Sequence, residues 1–140
     1  MDIDHVVLWV KSAKKSLHFY VNTLGFKAER EQAFYKGEVL FPSIRINDKT
    51  ILDIMEHSAL LEPVQKSTSS RENAGGMPIN HLCLSLSQKE YESMIERLNH
   101  SSVLLISAGE HVFGAQGKAI LATYFNDPDG NIIEIRFYDN

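Results

Sequence analysis

The chain has 140 residues, 44% of them hydrophobic and 23% charged. That is the composition of one globular domain, and it excludes a disordered, collagen-like or disulfide-stapled chain. With 14 Lys+Arg against 18 Asp+Glu the net charge is -4, a poor match for nucleic acid or an anionic membrane. No run of about 18 apolar residues is present, so no membrane span is expected. The lone Cys83 has no intrachain partner, and Met1-Asp2-Ile3-Asp4-His5 lacks the basic and apolar regions of a signal peptide. A soluble, cytoplasmic protein is the expectation.

Ile3-Asp4-His5-Val6-Val7-Leu8-Trp9-Val10 is short, apolar and β-branched, which predicts a strand. Ser12 is placed to cap a helix carrying Leu17, Tyr20, Val21 and Leu24, with Gly25 where the chain leaves it. Strands follow at about 26–34, 42–47 and 50–57, the last two joined by the turn residues Asn47-Asp48-Lys49. Residues 58–78, with Ser67-Thr68-Ser69-Ser70 and Gly75-Gly76-Met77-Pro78, offer no apolar face and read as a linker or long loop. Then the order recurs. Ile79 to Leu86 alternates as a strand, Ser87 and Glu90 form a capping box for a helix, and strands follow at about 103–111, 119–126 and 132–138. Asp127-Pro128-Asp129-Gly130-Asn131 predicts a tight turn between the last two.

The repeat is the most informative feature. Ile3-Asp4-His5 matches Ile79-Asn80-His81, and Leu52-Asp53-Ile54 matches Ile133-Glu134-Ile135. Each half reads strand-helix-strand-strand-strand, with a His on its first strand and a carboxylate on its last. The fold class predicted is α+β: two βαβββ modules in a curved, cup-like mixed sheet with helices on the outer face. The whole is one domain over 1–140, with modules at about 1–57 and 79–140.

Strand alternation sorts the side chains. Val6, Leu8 and Val10 share one face, as do Leu82, Leu84 and Leu86; His5 and His81 lie opposite. The aliphatic neighbours of Asp53 and Glu134 want the helices, so both carboxylates point to the face of the histidines. Burying an unpaired carboxylate costs several kcal/mol, about 3–5 when a partner is removed. A divalent metal removes that cost: two imidazoles and two carboxylates cancel its charge, and two His with one carboxylate leave positions open for chemistry. Against this stands the plainer reading of hydrogen-bonded core histidines and carboxylates paired with Arg45 or Arg136.

These features resemble the vicinal oxygen chelate superfamily, which includes glyoxalase I, extradiol dioxygenases, fosfomycin-resistance thiol transferases and bleomycin-resistance proteins. The resemblance covers nearly the whole chain. Its most specific part is Tyr124-Phe125-Asn126-Asp127-Pro128-Asp129-Gly130-Asn131-Ile132-Ile133-Glu134-Ile135, which is similar to the family's last hairpin; the openings at His5 and His81, and Leu17-His18-Phe19-Tyr20 through Gly25-Phe26, also match. By position the resemblance implies His5, His81 and Glu134 as ligands of one divalent metal (Ni, Zn, Co, Mn or Fe). Asp53 stands where glyoxalase I has a Glu and is one methylene shorter, so it is a fourth ligand or a base, with His57 four residues further along, on the same face, as a competitor. The function implied is metal-dependent isomerase or lyase chemistry on a small molecule with two adjacent oxygens. The alternatives are an extradiol-type dioxygenase, a fosfomycin-type thiol transferase, or a non-catalytic drug- or metabolite-binding protein. A homodimer is implied as well, its modules paired within a chain or swapped between chains.

Three further residues enter as candidates. Arg45 and Arg136 fall on the ligand face, as an anion-binding wall for substrate or as salt-bridge partners. His111, in the glycine-rich stretch 109–117, is a proton shuttle if that stretch covers the site, or part of an ordinary hairpin. His18 and His100 read as surface or capping residues, and Cys83 as a small residue lining the face of His81.

Overall fold

The computed structural model describes residues 3–56, 79 and 81–139. The expected linker 58–78 and His57 lie outside the described residues. The chain divides into two compact units, Met1–Pro78 and Ile79–Asn140.

The first unit contains β1 (His5–Val10), α1 (Ala13–His18), β2 (Lys27–Glu29), α2 (Glu31–Tyr35), β3 (Ser43–Arg45) and β4 (Ile51–Glu56). Its strands lie in the order β1-β4-β3-β2, with β1 parallel to β4 and the other pairs antiparallel. Ser12 caps α1 by accepting from the Lys15 amide, and Glu56 of β4 accepts from the Ala13 amide at 2.8 Å. Two orphan amides of the first turn are thereby satisfied. The helix continues as one wider π turn over Phe19–Thr23, and Gly25 leaves it at φ 81°, a left-handed conformation that suits glycine. Leu17, Tyr20 and Leu24 on this helix, with Leu8, Val10, Ile44, Leu52 and Ile54 on the strands, form the buried core. The strand expected over 26–34 is only β2; the chain then turns at Arg30 (φ 59°) into the short helix α2.

The second unit contains β5 (Leu82–Leu86), α3 (Gln88–His100), β6 (Ile106–Gly109), β7 (Phe113–Gly114), β8 (Gly117–Lys118), β9 (Leu121–Asn126) and β10 (Ile132–Phe137). Its four-stranded sheet has the order β5-β10-β9-β6, the same topology as the first. The capping box is present: Ser87 Oγ accepts from the Glu90 amide and Glu90 Oε2 accepts from the Ser87 amide at 2.9 Å. Tyr91, Met94 and Leu98 of α3 are buried, and Tyr91 shares a 2.6 Å hydrogen bond with Thr123 on β9. The β9–β10 turn is tied by one side chain. Asp127 Oδ1 accepts from the amides of Asp129 and Asn131, and its Oδ2 from the Asn131 amide group. That turn sets the register placing Glu134 opposite Tyr124. The structure adds what the sequence reading left as loop: β7 and β8 pair as a small hairpin of their own.

The fold is therefore α+β, built from two βαβββ modules of matching topology. No helix among the described residues is long and apolar enough to cross a membrane.

Candidate functional site

The repeat extends to register. In the first unit Asp53 pairs with Val7, two residues past His5. In the second, Glu134 pairs with Cys83, two residues past His81. Each unit so sets its His and carboxylate on one sheet face, on adjacent parallel strands, one step out of line. The opposite faces, with Leu52 and Ile54 or Ile133 and Ile135, are buried.

In the second unit the pair is in contact. Glu134 is 0% exposed, and His81 Nε2 stands 3.0 Å from its Oε2. Among the described residues Oε2 is a buried side-chain oxygen without a hydrogen-bond partner. The other oxygen, Oε1, accepts from Arg136 Nε at 2.9 Å and from its Nη2. Tyr124 sits edge-on to His81, ring centroids 5.4 Å apart. Burial first, and then the Glu134 carboxylate, push the Tyr124 hydroxyl above its ordinary range. The same two causes push up the Cys83 thiol, against the opposing pull of Arg136.

Arg136 itself is buried, and Nη1 donates to the Phe113 carbonyl at 2.9 Å. Burial alone would lower its proton affinity. Its bonds to Tyr138 and Glu134 outweigh that and hold the guanidinium charged. Arg136 forms a salt bridge to Glu134, one of the two roles the sequence left open to it. The stretch 109–117 is the hairpin end of this arrangement: Phe113 meets Arg136, and Gln116 Nε2 donates to Ser85 Oγ at 3.1 Å. His111 stands exposed before the hairpin at φ 58°.

In the first unit the carboxylate has different company. Ser43, fully buried, donates to Asp53 Oδ1 at 2.6 Å, and Arg30 Nη2 donates to Ser43 Oγ at 2.7 Å. Arg30 stands 3.6 Å from Asp53 Oδ1, with its guanidinium over the Phe41 ring. His5 is exposed, 3.4 Å from Asp4. Arg45 pairs with Glu29 at 3.1 Å. Sequence reasoning missed Arg30, Ser43 and Gly114; only Ser43, two residues from Arg45 on a short strand, carried a signal, since alternation sets both on one face. His18 is exposed and His100 bonds the Glu96 carbonyl on its own helix, as expected of them.

Among the described residues, no three His, Cys, Asp or Glu side chains gather into a group able to hold a metal ion. The second unit does supply two fitting donors, an imidazole nitrogen and a buried carboxylate oxygen that lacks a hydrogen bond. Leaving a charged acceptor so buried costs about 1–3 kcal/mol or more, less whatever His81 at 3.0 Å returns, and a cation at that oxygen would remove the cost.

Beside Tyr124 lies an apolar groove of about 410 Å³, lined by Val103, Leu104, Ile106, Tyr124, Phe125, Asn126 and Ile132. Leu104 is 79% exposed there.

Residues 2–135 match the family model of the Glyoxalase/Bleomycin resistance protein/Dioxygenase superfamily. The chain is similar to the virulence protein STM3117 of Salmonella typhimurium, at 27% identity over 97% of this chain and 83% of that protein. Its fold is similar to that of TnmS3, an antibiotic binding protein from a Streptomyces species, with a TM-score of 0.67 and 18% identity over 99% of this chain and 97% of the other. It is also similar to a lactoylglutathione lyase from Agrobacterium tumefaciens, with a TM-score of 0.61 and 15% identity over 97% and 92% of the two chains.

Proposed function

The chain belongs to the Glyoxalase/Bleomycin resistance protein/Dioxygenase superfamily, and on that footing we propose that it is a metal-dependent enzyme acting on a small molecule with two adjacent oxygens, of the isomerase or lyase type. The observation that carries the reading is the buried Glu134 Oε2, without a hydrogen bond and 3.0 Å from His81 Nε2. In this reading His81 and Glu134 hold the cation, and His5 is the first module's ligand, from the same chain or from a second copy in a homodimer. Asp53 is a fourth ligand or a base. Its Oδ1 is committed to Ser43, so its other oxygen is the one that takes part.

A divalent cation so held supplies Lewis acidity toward a carbonyl oxygen. The chain's own residues do the rest. Glu134 Oε2, displaced from the cation by the incoming substrate, would take the proton from the hydroxyl-bearing carbon and return it to the former carbonyl carbon, the hydroxyl proton passing to the former carbonyl oxygen, with Tyr124 and His81 beside it. His111 exchanges that proton with solvent. Arg45, the more exposed of the two arginines, meets an anionic group of the substrate. The apolar groove beside Tyr124 takes the substrate's apolar part.

The test uses metal-stripped protein reloaded singly with nickel, cobalt, zinc, manganese or iron(II), on a thiohemiacetal of an α-ketoaldehyde in deuterated water. Turnover restored by one of these metals and lost in His81→Ala is the expected result. No turnover with any of them removes the isomerase reading.

A second reading, a protein that sequesters an apolar drug or metabolite without chemistry, is favoured by the 410 Å³ groove with its exposed Leu104 and by the likeness to an antibiotic binding protein. Stoichiometric ligand capture that survives chelation would support it.

A further inference from the structure

A guanidinium beside a carboxylate ordinarily forks across both oxygens. Arg136 does not: Nε and Nη2 both donate to Glu134 Oε1, and nothing of the fork reaches Oε2. The third nitrogen, Nη1, faces away from Glu134, to the Phe113 carbonyl at 2.9 Å and the Tyr138 hydroxyl at 3.4 Å. The guanidinium is therefore held from both sides, by β10 and by the β7–β8 hairpin. Gly114 is what lets the hairpin come so close. A Cβ there would fall inside van der Waals contact of both Arg136 Nη1 and the Tyr138 hydroxyl, and 3.2 Å from Arg136 Cζ. Gln116 ties the hairpin's other end to Ser85 on β5.

We propose that Arg136 is a positioning residue that clamps Glu134 Oε1, so that Glu134 offers a cation Oε2 alone, and that the β7–β8 hairpin, seated through Gly114, latches the clamp. This rests on the metal reading above. A carboxylate that lends one oxygen occupies one coordination position instead of two. The position it leaves open is what a substrate with two adjacent oxygens needs.

The test is cobalt(II) binding to metal-stripped, full-length protein, followed by calorimetry and by the visible d–d absorption. Arg136→Met frees Oε1, so Glu134 can take the ion with both oxygens. The expected results are an affinity change of about 10- to 100-fold, as for other outer partners of metal ligands, and a weaker d–d band as coordination number rises. Gly114→Ala shifts both readouts the same way by less. The Gly114→Ala/Arg136→Met double variant matches Arg136→Met alone, because the two act through one contact. Arg136→Lys restores the charge without the two-sided hold and lies between; with Gly114→Ala it carries the test if Arg136→Met does not fold. Affinity and spectrum unchanged in all of these, while wild type binds cobalt, overturn the clamp alone. A wild type that binds no cobalt overturns the metal reading and the clamp together. A loss of thermal stability in the variants with an unchanged cobalt spectrum marks a merely structural arginine and also overturns the proposal.

Discussion

Asp53 and Glu134 occupy matching places in the two halves and differ in what holds them. Asp53 Oδ1 takes the Ser43 hydroxyl at 2.6 Å with Arg30 behind it, whereas Glu134 Oε1 takes Arg136 and its Oε2 accepts no hydrogen bond. Removing Asp53 leaves the fully buried Ser43 hydroxyl without its acceptor, a loss of about 1–3 kcal/mol. Asp53→Ala is therefore expected to lower unfolding free energy by about 2 kcal/mol in a urea titration, and Asp53→Asn, which keeps an acceptor oxygen, by less. A null effect of Asp53→Ala would show that the Ser43 bond carries no stability. That both carboxylates share a face with the histidines was legible, because alternation along a strand requires only the sequence. Arg30 as the partner of Asp53 was not. It lies within a stretch that reads as strand, and the left-handed backbone at Arg30 (φ 59°) ends that strand early.

At the scale of elements, the caps and turns were legible because each is written in a few adjacent residues. Ser87 and Glu90 cap α3 as their spacing predicts, and Asp127 closes the β9–β10 turn through three hydrogen bonds. The capping box has a pH signature. Its hydrogen bonds from the Ser87 side chain and then the Ser87 amide hold the Glu90 carboxyl below its ordinary 4.5. A carboxylate depressed on folding stabilises above its ordinary value and loses that contribution as pH falls through the lower, folded value. Ser87→Ala is expected to cost about 1 kcal/mol at neutral pH and to flatten the acid limb of stability below about pH 4.5. Equal acid limbs in wild type and variant would contradict the assignment. The elements missed were the short ones. The five residues of α2 are too few to show helical periodicity, and the two-residue strands β7 and β8 are too short for alternation. Yet β7 and β8 carry the contact to Arg136, so the hairpin and its glycine emerge from tertiary packing alone.

For the whole molecule, the internal repeat was the strongest signal. It predicted two βαβββ modules, and the two sheets do share one topology and one register offset between His and carboxylate. What local sequence does not encode is how saturated each carboxylate is, since that depends on arginines brought in by packing. If His81 and Glu134 mark a metal site, the purified protein carries metal that depends on them. Tag-free wild type and His81→Ala, incubated with a panel of divalent ions and desalted, are to be compared by plasma mass spectrometry. Near one metal per chain in wild type, lost in the variant, is the expected result. No metal in either protein, or equal metal in both, would contradict it.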